Sequence, residues 1–216
     1  MDAAISDQFL LDQVPLRYRA LIAQAIWDAR ATAATLAMAE PILQVPSAKD
    51  NHGRLISWGV DHGIESLIRS GRWPVACRWC YFAQPTGRYL EIRLAHSVMT
   101  ISRVPNPTIQ PRDVKFRQNA RLNNQPSLPL RDFDDTRSVA GLPSFLLIHG
   151  GETESAFAHI AVPHPISRDY IYKTPNLMDM VHDASSDLPP VENTDTDAVV
   201  DLKDEIEKWR RKNGHE

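Results

Sequence analysis

The sequence predicts an α+β fold in which N-terminal helices pack on an antiparallel β-sheet, followed by an acidic disordered linker and a short C-terminal helix. Three observations predict it. Apolar residues recur at helical spacing before Gly71 and alternate at strand spacing after Trp73. Beyond His182 large apolar residues become rare and acids take over.

Residues 15–40 read as one long amphipathic helix. Tyr18, Leu21, Ile22, Ala25, Ile26, Ala29, Ala33 and Leu36 form a single stripe. Pro15 suits a first helical turn, and Pro41 ends the helix. A second helix runs from about Gly53 to Arg69, with Leu55, Ile56, Val60, Ile64, Leu67 and Ile68 on its buried face. Asp50 or Asn51 can cap it, Gly59 and Gly63 permit close approach of a neighbour, and Gly71 terminates it.

Val75–Ala83 is rich in β-branched and aromatic residues and reads as a strand, closed by the turn Gln84-Pro85-Thr86-Gly87. Tyr89–Leu94 and Val98–Val104 alternate, so the three segments form a meander. Pro105–Val139 is irregular and proline-rich, with one short helix near Val114–Leu122. Ser144–His149 reads as a buried strand, Gly150-Gly151 as a turn, and Ala156–Val162 as the hairpin partner. The globular domain therefore spans 1–180, with helices within 15–70 and strands within 75–162. The linker covers 183–198 and the short helix 199–212.

The chain of 216 residues is 43% hydrophobic and 24% charged, with a formal net charge of −3. That is ordinary globular composition and needs no metal or disulfide to fold. Two cysteines do not make a secreted disulfide scaffold. Met1–Asp12 carries Asp2, Asp7 and Asp12 and no basic residue, unlike a secretory signal. No apolar run is long enough to span a membrane. These features place the protein in the cytoplasm as an expectation.

The phosphate loop GxxxxGK[ST], the dinucleotide motif GxGxxG, the zinc motif HExxH and the nucleophile motif GxSxG are all absent. Cys77-Arg78-Trp79-Cys80 spaces two thiols as a metal or redox pair would. On a strand, however, residues three apart face opposite sides, so neither metal nor disulfide is expected. His149, His159 and His96 lie in or near neighbouring strands and are the weak catalytic candidates, as general acid/base groups; His164 follows the same hairpin. The alternative is that they simply fill half-exposed positions. Glu91, Asp113 and Lys115 match a nuclease site only loosely.

The basic cluster is the stronger signal. Arg103, Arg112, Lys115, Arg117 and Arg121 are opposed only by Asp113 between positions 103 and 121. Arginine and lysine hold phosphates, and the nearby Gln118, Asn119, Asn123, Asn124 and Gln125 suit base edges. From Asp183 to Glu207 nine acids face one lysine. Val199, Leu202, Ile206 and Trp209 then follow at steps of three and four, a seam suited to docking on protein or on a second copy.

Two functional readings follow. The first is a non-enzymatic intracellular binding or regulatory protein, with a basic loop for an anionic partner such as nucleic acid and a protein-docking tail. It needs no cofactor, metal or membrane. The second is a small metal-independent hydrolase or nuclease using the sheet histidines. Val98–Pro163 resembles small bacterial proteins of phage-defence or toxin–antitoxin loci, a likeness that assigns no residue a role.

The tail carries its own test. Isolated helices shorter than about 12–15 residues are marginal in water, so residues 199–212 need a groove to persist as a helix. Deleting residues 183–216 is expected to change the thermal midpoint, the oligomeric mass or the set of co-purifying proteins. A deletion that alters none of the three shows that the tail docks nowhere.

Overall fold

The computed structural model describes residues 3–82, 87–124, 141–152 and 155–181. The chain divides into two units, Met1–Val181 and His182–Glu216. All described residues belong to the first. The linker expected over 183–198 and the helix expected over 199–212, with Leu202, Ile206 and Trp209, lie outside the described residues.

Among the described residues the unit has five helices and six strands, with single 3-10 turns at Pro41–Gln44 and Leu177–Met180. Helix α1, Ala3–Gln13, was not expected from its sequence pattern. It is held by what it packs on. Leu10 and the following Val14 are fully buried, and Phe9 meets Phe145 edge to face at 5.8 Å. Pro15 caps the long α2, Leu16–Ala39, and the Arg19 side chain returns to donate to the Val14 carbonyl at 2.8 Å. The corner between the two helices is therefore closed by a hydrogen bond from α2.

After the one-turn α3, Pro46–Lys49, α4 runs over His52–Arg69. Ile22, Ala23, Ile26, Ala29 and Ala33 of α2 share one core with Ile56, Val60, Ile64, Leu67 and Ile68 of α4. The helices approach closely through small residues. A Cβ on Gly59 would stand 3.2 Å from Ala29, and one on Gly63 would stand 3.3 Å from the Ala25 carbonyl. Gly71, at a φ of 75°, ends α4 in the left-handed conformation that glycine adopts without strain.

The strands are β1 Ala76–Phe82, β2 Gly87–Arg93, β3 Val98–Arg103, β4 Ser144–Gly150, β5 Phe157–Pro163 and β6 Tyr170–Lys173. They form one sheet in chain order. The sheet is mostly antiparallel, as the sequence predicts: four of the five pairings are antiparallel, and β3 and β4 run parallel. The reason lies in the connection. The forty residues between Arg103 and Ser144 are long enough for a crossover that brings the chain back to the starting end of β3. Part of that crossover is α5, Lys115–Leu122.

One sheet face lies under the helices. Leu90, Ile92, Met99, Phe145, Leu147, Ala158, Ile160 and Val162 join the helical residues in a single core. The opposite face holds a smaller cluster of Val104, Leu146, Ile148 and Phe157. Strands β4 and β5 are buried on both faces, which explains the unbroken apolar runs in their sequences. Helix α5 attaches to the second face where Phe116 stacks on Tyr89 at 4.2 Å. Cys77 faces the helical core, whereas Cys80 lies on the other side of β1, its register partner being Tyr89. Among the described residues, no helix is long and apolar enough to cross a membrane.

Asn124, just past α5, joins the crossover to two strands. Its buried amide donates to the carbonyls of Ser144 and Pro163 at 3.0 Å each and accepts from the Ser144 amide at 2.8 Å. Replacing it leaves three buried backbone groups without their partner, and each such loss costs about 1–3 kcal/mol. Asn124→Ala is expected to lower unfolding free energy by roughly 3 kcal/mol in urea titration. Asn119→Ala, on an exposed position of α5, is expected to change it by less than about 0.5 kcal/mol.

A cationic candidate site at the carboxyl ends of β3 and β4

The parallel register pairs Arg103, the last residue of β3, with His149 near the end of β4. Side chains alternate along a strand. Arg103 therefore shares a face with Met99 and Ile101, and His149 with Phe145 and Leu147, on the side covered by helices. Arg30 approaches from α2. It lies four residues after Ile26 and three before Ala33, so the helix turns it toward the core. Its two terminal nitrogens donate to the Gly150 carbonyl at 3.3 Å and the Gly151 carbonyl at 2.9 Å.

Glycines make this crowding possible. A Cβ on Gly150 would collide with the Val104 carbonyl, and Gly151 has a φ of 77°. The first turn of α4 adds Gly53. A Cβ there would lie 2.5 Å from an Arg103 Nη, so the guanidinium rests directly on this turn.

The electrostatics of the cluster are one-sided. Neither Arg30 nor Arg103 forms an ion pair among the described residues. Burial lowers the pKa of Arg30, and the Arg103 charge lowers it further. The first turn of α4 has no acidic residue, and its cap Asn51 makes no side-chain capping bond. The Arg54 amide of this turn donates to the Asn51 carbonyl at 2.8 Å. His149 is only 1% exposed and its Nδ1 has no hydrogen-bond partner. Burial, then Arg103, then Arg30 push its pKa down to about 3. At neutral pH the site therefore combines two guanidinium groups, a helix N-terminus and an uncharged imidazole. Chemically, it can hold an anion.

The other residues singled out in the sequence fall elsewhere. Arg112 and Lys115 are exposed beyond the end of β3. Arg117 points inward: Nη2 donates to Ser102 Oγ at 3.1 Å and Nη1 to the Arg112 carbonyl at 2.9 Å. Burial lowers its pKa, and its Nε lacks a partner. Arg121 pairs with Asp113 at 3.1 Å. Three of the five basic residues thus remain turned toward solvent.

The histidines do not converge. His159 pairs in register with Ile148 and lies on the opposite sheet face from His149, its Nδ1 at 2.8 Å from the Thr174 carbonyl. His96 sits at the other end of β3, where its amide donates to Gln13 Oε1 at 2.7 Å. His164 accepts from the Ile166 and Ser167 amides in a tight turn. Glu91 binds Arg78 and Arg93, away from Asp113 and its partner Arg121. Among the described residues, no group of three histidine, cysteine or acidic side chains is placed to hold a metal ion.

Sequence reasoning missed Arg30, a cation inside an ordinary helix. Its signal is a charged residue in register with the apolar stripe. It also missed Asp61 on α4, whose pKa is pushed up to about 6 by burial and then by Glu65. Glu65 itself is held by Arg69 at 2.9 Å and by the Trp79 indole at 3.1 Å.

No protein-family model, curated protein or solved structure matches the chain. The fold and the site define an α+β protein with a cationic pole at the end of its parallel strand pair.

His149 and Asp61 affect stability with opposite signs. His149 falls from 6.5 when unfolded to about 3 when folded, so the unfolded chain alone takes up the proton between those values. Its contribution is present above pH 6.5 and is lost as pH falls, at about 1.4 kcal/mol per pH unit. Asp61 rises from 3.8 to about 6, so its contribution is present below 3.8 and is lost as pH rises through 6. Asp61→Asn is expected to stabilise the protein by roughly 1–3 kcal/mol at pH 7.5 and to have little effect at pH 4. Urea denaturation at the two pH values checks this. In an NMR titration one imidazole is expected to stay neutral down to pH 4, and His149→Phe should remove that resonance.

Proposed function

We propose that this chain is a non-enzymatic binding protein for an anionic partner, engaged where β3 ends. The observation that supports this reading is the meeting of Arg30 and Arg103 with no described carboxylate paired to either. Two guanidinium groups beside a helix N-terminus repel one another, and a bound anion relieves that repulsion. Arg112 and Lys115, exposed in the crossover, extend the positive surface. Nucleic acid is the extended anion this surface suits, since phosphate contacts need cations and no particular sequence motif. Work inside the cell, in a regulatory role with the tail docking on protein, belongs to the same reading.

Salt dependence gives the test. Contact with about three phosphates predicts a loss on the order of 20-fold in affinity for a single strand between 50 and 200 mM salt. Fluorescence anisotropy with a labelled single-stranded RNA is expected to show that slope. The triple variant Arg103→Glu, Arg112→Glu, Lys115→Glu is expected to abolish binding. Arg117 is left intact because its guanidinium is part of the packing. Absence of binding at 20 mM salt, both by the full chain and after removal of residues 183–216, rejects the reading.

A further inference from the structure

We infer that β1 is a docking edge whose occupant is a second copy of this chain, the two β1 strands pairing antiparallel into one continuous sheet. Nothing in this interface depends on the cationic pole.

The two edges of the sheet differ. Among the described residues, β1 and β6 each pair with one neighbour. Strand β6 carries the devices that blunt an edge. It has four residues, it ends in Lys173, and the ladder to β5 shifts register between Val162 and Pro163. Strand β1 carries none of them. Its seven residues include no proline or lysine, and its register to β2 is unbroken from Ala76 to Phe82. Its one charged side chain, Arg78, is taken up by Glu91 at 2.7 Å. Ala76, Arg78, Trp79 and Tyr81 are all exposed. The outer edge of β1 therefore offers alternate main-chain N–H and C=O groups, and their complement is another strand.

An aromatic strip borders this edge. Cys77, Trp79 and Tyr81 share the face under the helices. Cys77 reaches the core, but Trp79 is 39% and Tyr81 73% exposed. The Trp79 indole donates to Glu65 of α4 at 3.1 Å. Trp58, two turns before Glu65 on the same stripe of α4, is 60% exposed. At about 200 Å² for each ring, the three leave roughly 350 Å² uncovered on each copy.

Register and charge select the occupant. Antiparallel pairing about a two-fold axis at Trp79 sets Trp79 against the partner's Trp79 and Cys77 against the partner's Tyr81. Such aromatic and apolar pairs stabilise a ladder. On the other face Arg78 meets the partner's Cys80, so no like charges oppose one another. Above the strand each copy carries the ion pair of Arg69 with Glu65 at 2.9 Å, and the two-fold brings the two pairs together with both signs balanced. One strand thus supplies both halves of the interface. The aromatic strips of two copies provide roughly 700 Å², more than half of the about 1,200 Å² that a small stable interface buries. The paired main chains and α4 add to it.

Sedimentation velocity on the full chain, from about 1 to 200 μM, is expected to show the 24.4 kDa monomer giving way to a dimer. Hydrogen exchange read by mass spectrometry should show the amides of 76–82 gaining at least tenfold protection over that range, with those of 170–173 unchanged. Tyr81→Lys places a charge at an exposed position of the edge. It should raise the dimer dissociation constant at least tenfold and leave the thermal midpoint at the lowest concentration unchanged. Ile166→Lys, equally exposed at 73% between β5 and β6, should leave the dimer intact. A chain that stays monomeric throughout overturns the inference. So does a dimer that survives Tyr81→Lys, or one whose protection maps to 199–212 in place of 76–82.

Discussion

The parallel pairing of β3 and β4 is the constraint on which the rest of this structure depends. Antiparallel neighbours would place Arg103 and His149 at opposite ends of the sheet. Parallel neighbours bring both to the same end and, because the register pairs them, to the same face. The same pairing forces the chain to travel back along the sheet between the two strands. That return run includes α5 and Asn124, whose side chain ties the start of β4 to the end of β5. Burial of β4 and β5 on both faces follows, and with it the low-dielectric surroundings that keep His149 uncharged.

Two arginines of the 103–121 cluster are held differently. Arg117 is half-buried on the second face, where it donates to Ser102 Oγ and the Arg112 carbonyl and has Asp113 nearby. Its role in packing is legible from its partners. Arg103 is exposed and has no such partner among the described residues. It lies against the positive end of α4, near a second arginine, which is an arrangement that costs free energy in the unliganded chain. Folding tolerates such a cost where stability elsewhere is ample. The core shared by α2, α4 and the helix-facing side of the sheet supplies it.

The sequence revealed those features whose cause is local. The stripe from Tyr18 to Leu36 and the alternation from Tyr89 to Leu94 each encode one buried face, and both elements appear within a residue or two of the positions read from them. The strand β6 at Tyr170–Lys173 and the helix α1 were not legible. Each is short, and each owes its structure to what it packs on: Tyr172 to Val162 across the β5–β6 ladder, and Phe9 to Phe145. The parallel pair was hidden for a related reason, since a long irregular connection fits either strand direction. The basic cluster was visible as composition, but composition does not say which cations face inward. Arg30 escaped because its partners, Gly150 and Gly151, lie more than a hundred residues away.

The state of His149 bears on whether this pole binds or catalyses. A general acid or base works best with a pKa near the operating pH and is usually oriented by a carboxylate or a second histidine. His149 has a pKa of about 3, and both ionisable neighbours that depress it are cations. His159 and His96 are on another face and at another end of the sheet. Among the described residues, neither of these histidines is placed to orient His149 for an acid–base step. The site retains what recognition needs: fixed positive charge, an uncharged polar atom shielded from water, and glycines that let backbone and guanidinium approach closely.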